Sequence, residues 1–439
     1  SLAYNIANKT IMKIYIYLTA LILTQWLPLQ NISAAIGDNN DVVVWQRSQQ
    51  ETIIYDNRPE LGIGMHGFTA EQLALLKPLG IRLVRLTLYW NAMEPKDEGV
   101  WDGKYSRQWD EYVHLANDAG ITLLAVVHSP PKGLDWAHKE LAYERFARFM
   151  AAMAKRYPTV RYWELFNEMD GAFTDIFGAN HKEVPMIDRG KLYAQMLKIA
   201  YPVIRQANPS AWVIVGGMTD FMEFPRGIYE GGGKPYFDIM ALHTYGVPIN
   251  WSFIDRGKTL KEIMRWYGDG DKPLWNTEFG IDAGNLVGAW GYPHKGNPPR
   301  NDAEAYDQMQ LEQWRDCIEW NLKNRLYQKI FPYQFAAGNE RNDDGKIGQN
   351  SQLPPGMTID DYGYGIVRRD GKTPRPVYRW IEKTQPNGAI LSQPKRKLDV
   401  TFNPIFPTLP EGATQIKWRS EAIIKGLDLD SLYPVRLGK

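Results

Sequence analysis

The stretch Arg161-Tyr162-Trp163-Glu164-Leu165-Phe166-Asn167-Glu168 reads as a buried strand that ends in a polar, ionisable pair. The run is aromatic and β-prone, and Pro158 closes off the helical pattern before it. Alternation in a strand places Tyr162, Glu164, Phe166 and Glu168 on one face and Trp163, Leu165 and Asn167 on the other. A carboxylate at the carboxyl end of a buried strand is costly unless it has partners or a task. A second stretch has the same design: Pro273-Leu274-Trp275-Asn276-Thr277-Glu278-Phe279-Gly280, a short apolar strand that reaches Glu278. The two glutamates stand 110 positions apart, room for about two to three strand–helix units between them.

Outward from these two stretches, strand and helix patterns alternate from Leu61 onward. The sequence predicts strands at Leu61–Gly67, Ile81–Trp90, Ile121–Ser129, Arg161–Glu168, Ala211–Thr219, Phe237–Tyr245, Pro273–Gly280 and Lys329–Ala336. It predicts a helix opening on a Thr69–Gln72 capping box and closing at Gly80, and further helices over Ser106–Gly120, Leu141–Tyr157, Lys191–Ala207 and Ala303–Leu326, with a last one from Val377. On the second helix Trp109, Tyr112, Val113 and Ala116 share a face. Eight apolar strands, nearly all followed by helices, predict an α/β fold with a parallel sheet closed into a (β/α)8 TIM barrel. An open doubly wound sheet would carry a glycine-rich phosphate turn after its first strand. Gly231-Gly232-Gly233 follows no strand and reads as a loop. The barrel is expected over residues 61–384, after an N-terminal extension at 36–60. A Gly-, Asn-, Asp- and Pro-rich loop, Asn339–Gly363, is expected to shape the carboxyl mouth. Residues 385–439 are expected to form a short C-terminal extension or small β appendage.

The chain has 439 residues, 44% of them hydrophobic, enough for a sizeable core. A formal net charge of +1 gives no electrostatic basis for nucleic-acid binding. Sixteen Trp, 24 Tyr and 15 Phe serve either core packing or stacking against sugar rings. The lone cysteine, Cys317, excludes an intrachain disulfide and a cysteine metal cluster. Met12-Lys13, an apolar run from Ile14 to Leu23 and Ser33-Ala34-Ala35 form the pattern of a cleaved signal peptide over residues 12–35, with export to periplasm or medium and a mature start near Ile36. That run is short for a membrane span, so no stable membrane insertion is expected.

Chemistry in such a barrel sits at the carboxyl ends of the strands. Those ends supply His66, Arg85 with Tyr89 and Trp90, His128, Asn167 with Glu168, Asp220, His243 with Tyr245, and Glu278. Two glutamates facing one substrate are what glycosidic bond cleavage needs: one protonates the departing oxygen, and the other attacks the anomeric carbon or activates a water.

Asn167-Glu168 and Glu278 resemble the paired motifs of the clan A glycoside hydrolases. Arg85, His243-Thr244-Tyr245, and Trp90-Asn91-Ala92-Met93-Glu94-Pro95 followed by Gly99-Val100-Trp101 support the likeness. Within the clan the chain looks most similar to family 39 and family 5-like bacterial glycosidases, including those acting on exopolysaccharides. The resemblance spans roughly Leu61 to Lys383. It implies a retaining glycoside hydrolase acting on an oligo- or polysaccharide, with Glu168 as general acid/base and Glu278 as nucleophile. Asn167 would bind the sugar 2-hydroxyl, and Arg85 and Tyr245 would hold and tune Glu278. His128, His243, Trp90 and His66 complete the expected substrate-binding set, with no cofactor and no metal. Members of the clan often end strand eight with a tryptophan platform. Here that strand reads Phe331-Pro332-Tyr333-Gln334-Phe335, leaving Tyr333, Phe335 or Trp290 for the task.

Plainer readings stand beside these. Arg85 lies between apolar Val84 and Leu86, so a buried cation there needs an anion whatever its role. Each of His66, His128 and His243 could be a satisfied core histidine. Asp220 reads as a helix cap or loop residue, Glu94 as structural, and Glu164 as part of an inner polar network. A metal-dependent barrel hydrolase is one rival. It would seat its metal on a His-x-His pair in the first strand, which here reads Gly64-Met65-His66-Gly67. A non-catalytic sugar-binding barrel would not need both glutamates. A transglycosylase uses the same machinery and stays open. The expected mechanism is retention through a covalent intermediate on an ionised Glu278, with Glu168 carrying the proton.

Overall fold

The computed structural model describes residues 42–46, 51–131, 134, 138–171, 184–219, 221–245, 252–280, 303–336, 364–387 and 395–398. The chain divides into two compact units, Ser1–Val42 and Val43–Lys439, and Val42 is the sole described residue of the first. The expected signal peptide, Asp220, Trp290 and the Asn339–Gly363 loop lie outside the described residues.

All eight expected strands form, most of them shorter than the sequence runs. They are β1 (Glu60–Leu61 and Ile63–Met65, two pieces flanking Gly62), β2 (Leu83–Tyr89), β3 (Thr122–His128), β4 (Tyr162–Leu165), β5 (Trp212–Val215), β6 (Met240–Tyr245), β7 (Leu274–Gly280) and β8 (Lys329–Pro332). Each pairs in parallel with the next. Ile63 faces Val84, Arg85 faces Leu124, Val126 faces Glu164, Glu164 faces Ile214, and Asn276 faces both Leu242 and Ile330. Between β5 and β6 the pairing reduces to two bridges, Ile214 with Ile239 and Met218 with Leu242. β8 returns to β1 through Lys329 with Glu60 and Ile330 with Leu61. The strands thus group into a five-stranded and a four-stranded parallel sheet, linked by these bridges and through the two pieces of β1, so the order runs through all eight strands and back to the first.

Among the described residues eight helices of five or more residues accompany the strands: α1 (Ala70–Ala74), α2 (Gly103–Asp118), α3 (Lys139–Arg156), α4 (Met186–Ala207), α5 (Glu223–Glu230), α6 (Gly257–Trp266), α7 (Ala303–Asn324) and α8 (Pro376–Thr384). The Thr69–Gln72 capping box opens α1 as expected, but α1 stops after five residues and a 3-10 turn at Lys77–Leu79 carries the chain to left-handed Gly80. Asp102 caps α2 by accepting from the Lys104 and Tyr105 amides. Trp109 and Ala116 on α2 are buried, with Tyr112 and Val113 packed beside them.

The sequence reading named no helix for α5 or α6. α5 carries Pro225 and Gly227, both poor helix residues. Gly227 is there for packing: a Cβ on it would come within 2.0 Å of the Ile187 carbonyl oxygen, and one on Gly190 within 2.1 Å of that of Phe224. The two glycines let α4 and α5 cross at backbone contact. Among the described helices none is long and apolar enough to cross a membrane.

Alternation sorts the strand side chains into two cores. Val84, Leu86 and Leu88 of β2 and Val213 and Val215 of β5 face the helices. Leu83, Leu124, Val126, Tyr162, Trp212, Ile214, Ile239, Ala241, Trp275 and Phe331 form a separate cluster inside the ring. Each such side chain contributes roughly 1.5–3 kcal/mol by leaving water. The inner cluster is an apolar floor, and two residues past its members stand Arg85 on β2, His128 on β3, Glu164 on β4, His243 on β6, Thr277 on β7 and Tyr333 just after β8.

Outside the ring, Val42–Gln46, Glu51–Asp56 and Lys395–Leu398 form a three-stranded sheet in that order. The last two strands are antiparallel, Lys395 facing Ile54. Just after α8, the Asn387 side chain bonds the Leu61 amide and carbonyl at 2.6 and 3.0 Å and the Gly80 carbonyl at 3.0 Å, tying the end of the barrel chain to its first strand.

Candidate active site

Local backbone departures build the site at the carboxyl ends of β4 and β7. β4 ends at Leu165, and Phe166 and Glu168 both take left-handed backbone, φ 66° and 48°. The alternation expected through Glu168 therefore fails at Phe166. Phe166 turns outward onto Phe146 of α3, ring centroids 4.6 Å apart, and Glu168 is re-aimed over the mouth. In β7 the register slips by one residue between Asn276 and Glu278, a bulge against both neighbours. Bulges re-aim side chains. Here consecutive residues both face inward, Thr277 onto Glu164 and Glu278 onto Arg85.

Glu278 is held from two sides. The Arg85 Nη1 donates to one carboxylate oxygen, and the Tyr245 hydroxyl donates to the other at 2.6 Å. Burial opposes its charge, but His243, Arg85 and the Tyr245 hydroxyl win and hold its carboxyl below the usual range. The Tyr245 hydroxyl, desolvated beside this carboxylate, is pushed far up and stays a donor. Arg85 also donates from Nε to Glu164 at 2.8 Å and from Nη2 to Asn167 at 2.8 Å.

His243 lies between the glutamates. Its Nδ1 is 2.9 Å from Glu168 Oε1 and 3.7 Å from Glu278 Oε2, and its Nε2 is 3.1 Å from the Thr277 hydroxyl. Burial works against a charged ring, yet the carboxylates of Glu278, Glu164 and Glu168 raise it to about 10. Gly217 makes room for it, since a Cβ there would lie 1.9 Å from Nε2. Carboxylate oxygens of Glu168 and Glu278 lie within 4.8 Å of one another and of the His243 ring. This trio has the spacing of a ligand set, and in it the Arg85 guanidinium pairs with Glu278 and the His243 ring with Glu168. Glu168 and Glu278 expose 15% and 12% of their side chains, whereas Glu164 and His243 expose none, so the two mouth glutamates are the carboxylates a substrate can reach.

Two expected substrate contacts are corrected. Trp90 opens a short helical turn after β2 and is fully buried, tilted against Phe146 and Phe149 at 5.3 and 5.4 Å in the outer core. As the residue after Tyr89 it faces the helices, on the side away from the mouth. His243 is buried and occupied by Glu168 and Thr277, so it holds carboxylates instead of facing a ligand. Phe335 is buried in the outer core, which removes it as a platform.

The other expected residues line the mouth. His66 is half-buried and bonds the Tyr333 hydroxyl at 2.8 Å. Burial, and after it Arg85, lower its basicity against the pull of Glu278. His128, against Tyr89 and bonded to Ser129 at 2.8 Å, is lowered to about 4 by burial and by Arg85. Tyr333 packs edge-on to Tyr245 at 6.1 Å and to Tyr364 at 5.4 Å. Glu94 is buried and bonds Arg145 Nε at 2.8 Å and the Gly99 amide at 3.1 Å, a structural role as expected. Sequence reading missed Thr277, Gly217 and Tyr364. Thr277 adjoins Glu278, and a Gly216–Gly217 pair at a strand end was the signal available for close backbone approach.

A parallel eight-stranded barrel with paired carboxylates at the mouth defines the barrel class of glycoside hydrolases. The chain belongs to the cellulase family, glycosyl hydrolase family 5, whose model matches residues 58–325. No curated protein matches it. A β-glucosidase from Thermotoga maritima, solved with deoxynojirimycin, superposes with TM-score 0.51 at 13% identity, over 76% of this chain and 98% of that one, a likeness of fold. A family 39 glycoside hydrolase from Bacteroides cellulosilyticus WH2 gives 0.49 at 18% identity over 76% and 66%. The exo-β-1,4-mannosidase Op5Man5 from Opitutaceae bacterium strain TAV5 gives 0.47 at 16% over 75% and 59%. The chain spans about two thirds or less of the length of these last two structures.

Proposed function

We propose that this protein is a retaining glycoside hydrolase that cleaves O-glycosidic bonds of an oligo- or polysaccharide by double displacement. One observation carries the reading: a carboxylate oxygen of Glu168 lies within 4.8 Å of a carboxylate oxygen of Glu278, and the two groups have unlike partners. Retaining enzymes set their carboxyl groups ~5–5.5 Å apart, whereas inverting ones need roughly 6.5–9.5 Å to admit a water. Glu278, gripped by Arg85 and Tyr245, is the ionised nucleophile. Glu168 is the acid/base, with His243 behind it.

In the first step Glu168 gives its proton to the glycosidic oxygen. The bond from that oxygen to the anomeric carbon breaks, and a Glu278 oxygen bonds the carbon from the opposite face. The leaving alcohol departs. Esterification removes the Glu278 charge, and the carboxylate of Glu168 then takes a proton from water as the water attacks. The ester opens, the sugar leaves with its original configuration, and both carboxyl groups are restored. Asn167, fixed through its Oδ1 by Arg85, offers its amide N–H to the sugar 2-hydroxyl. His66, His128 and Tyr333 line the sugar site.

NMR of the first-formed product anomer tests the reading. The substrate's own anomer is expected, and the opposite anomer overturns double displacement. Export belongs to the same proposal and rests on the Met12–Ala35 pattern. Intact mass of the protein from its native host is expected to place the mature start near Ile36, and an unprocessed cytoplasmic product would refute it.

A further inference from the structure

Glu164 is a fully buried carboxylate with four accepted hydrogen bonds, yet no step above uses it. Its side chain is fully buried in the tier beneath the mouth. It accepts from Arg85 Nε at 2.8 Å and Nη2 at 3.2 Å, from the Gly217 amide at 2.9 Å and from the Thr277 hydroxyl at 3.1 Å. The His243 Nε2 stands 3.7 Å away. One carboxylate on β4 thus joins β2, β5, β6 and β7. Its two cationic neighbours are the groups that touch the mouth glutamates, Arg85 on Glu278 and His243 on Glu168.

We propose that Glu164 is a positioning residue that holds Arg85 and His243 in one buried, charge-balanced frame and thereby sets the pH range in which Glu278 and Glu168 work as nucleophile and acid. This rests on the roles given to those two glutamates above.

The charge inventory supports it. Glu164 and Glu278 supply two negative charges to this dry tier, and Arg85 and His243 supply two positive ones. The frame is neutral when Glu168 holds its proton. Once Glu278 is esterified it carries one surplus positive charge. Without Glu164 the frame would be positive from the start, before any charge on Glu278 is lost. The titratable groups facing Glu164 are Arg85 from β2, His128 from β3, Tyr193 from α4, His243 from β6 and Glu278 from β7.

Glu164→Gln keeps the shape and removes the charge. Loss of a nearby anion makes every remaining acid in the frame stronger. In kcat/KM against pH for an aryl glycoside, the acid limb reports ionisation of Glu278 and the alkaline limb loss of the proton from the coupled Glu168–His243 pair. Both limbs are expected to move to lower pH, by roughly one unit or more. KM should hold, since Glu164 is out of substrate reach. Glu164→Asp keeps the charge and should leave both limbs at the parent positions even where kcat falls. A drop in kcat with both limbs unmoved in Glu164→Gln would mean a merely structural role and overturn the proposal.

If Glu164→Gln does not fold, Thr277→Val cuts the hydroxyl between Glu164 and His243 while keeping every charge. The alkaline limb alone should then move to lower pH, and an unmoved alkaline limb overturns the proposal. NMR titration of the ring-labelled histidines, with His243 assigned by its loss in His243→Gln, needs no substrate. A lower His243 midpoint in Glu164→Gln than in the parent is expected even if no glycoside is hydrolysed, and an unchanged midpoint overturns the proposal. Failure of the hydrolase reading and failure of the frame are thereby told apart.

Discussion

The Thr277 hydroxyl donates to the Glu164 carboxylate at 3.1 Å, directly across the barrel between β7 and β4. One layer below, Tyr162 and Trp275 of the same two strands meet edge to face with centroids 4.8 Å apart. One layer above, Glu168 and Glu278 approach within 4.8 Å. The two strands that carry the mouth glutamates are thus braced at three heights.

Glu278→Ala is expected to abolish turnover of every glycoside. Azide, small enough to enter the vacated space, should restore it and yield a glycosyl azide of inverted configuration. An unrescued variant that still turns over substrate would assign the nucleophile elsewhere.

Glu168→Ala removes the proton donor. Substrates with poor leaving groups should slow by about 10²–10⁴-fold, whereas activated aryl glycosides, which depart unaided, should slow far less. Equal losses for both substrate types would remove Glu168 from the acid role. The comparison is made by kcat/KM on a series of leaving groups.

Tyr245→Phe deletes the 2.6 Å hydrogen bond to Glu278. A hydrogen bond to a charged group contributes ~1.5–3 kcal/mol, so kcat should fall about 10- to 100-fold. That bond favours the ionised carboxylate. Its loss raises the Glu278 pKa, and the acid limb of kcat/KM should move to higher pH, opposite in sign to Glu164→Gln.

His128 is lowered from 6.5 to about 4, first by burial and then by Arg85. Its folded value lies below its unfolded one, so the stability it contributes is present above pH 6.5 and is lost as pH falls toward 4. His128→Gln cannot take up that proton. Its Tm should decline less than that of the parent between these two pH values, as read by calorimetry.

Trp90→Ala should cost about 3–5 kcal/mol of stability, as expected for a large side chain removed from a packed core. The activity of the folded fraction should keep its KM. A selective rise in KM at unchanged Tm would return Trp90 to the sugar site.

The strand count, the ring order and the two glutamates were legible in the sequence because each rests on a local signal, an apolar run closed by Gly, Pro or a polar pair. What escaped depends on backbone departures with no side-chain signature. The left-handed turn at Phe166 occurs without glycine, and the β7 bulge falls at an ordinary threonine. Trp90 and His243 were assigned to the mouth because strand ends were read as mouth positions. Whether a terminal residue faces inward is set by parity along the strand for Trp90 and by depth for His243. The helix α5 was hidden by Pro225 and Gly227, and Gly227 gives up helix propensity for close approach to α4.

The missing side chain at position 217 has a consequence for anyone altering this protein. A survey of substitutions would find Gly217 among the least permissive positions although it carries no functional group, since even alanine would collide with the His243 ring. On the proposed function, libraries aimed at new sugars should vary the rim around His66, His128 and Tyr333 and leave this empty space untouched, because what fills it is the ring that pairs with the mouth glutamates.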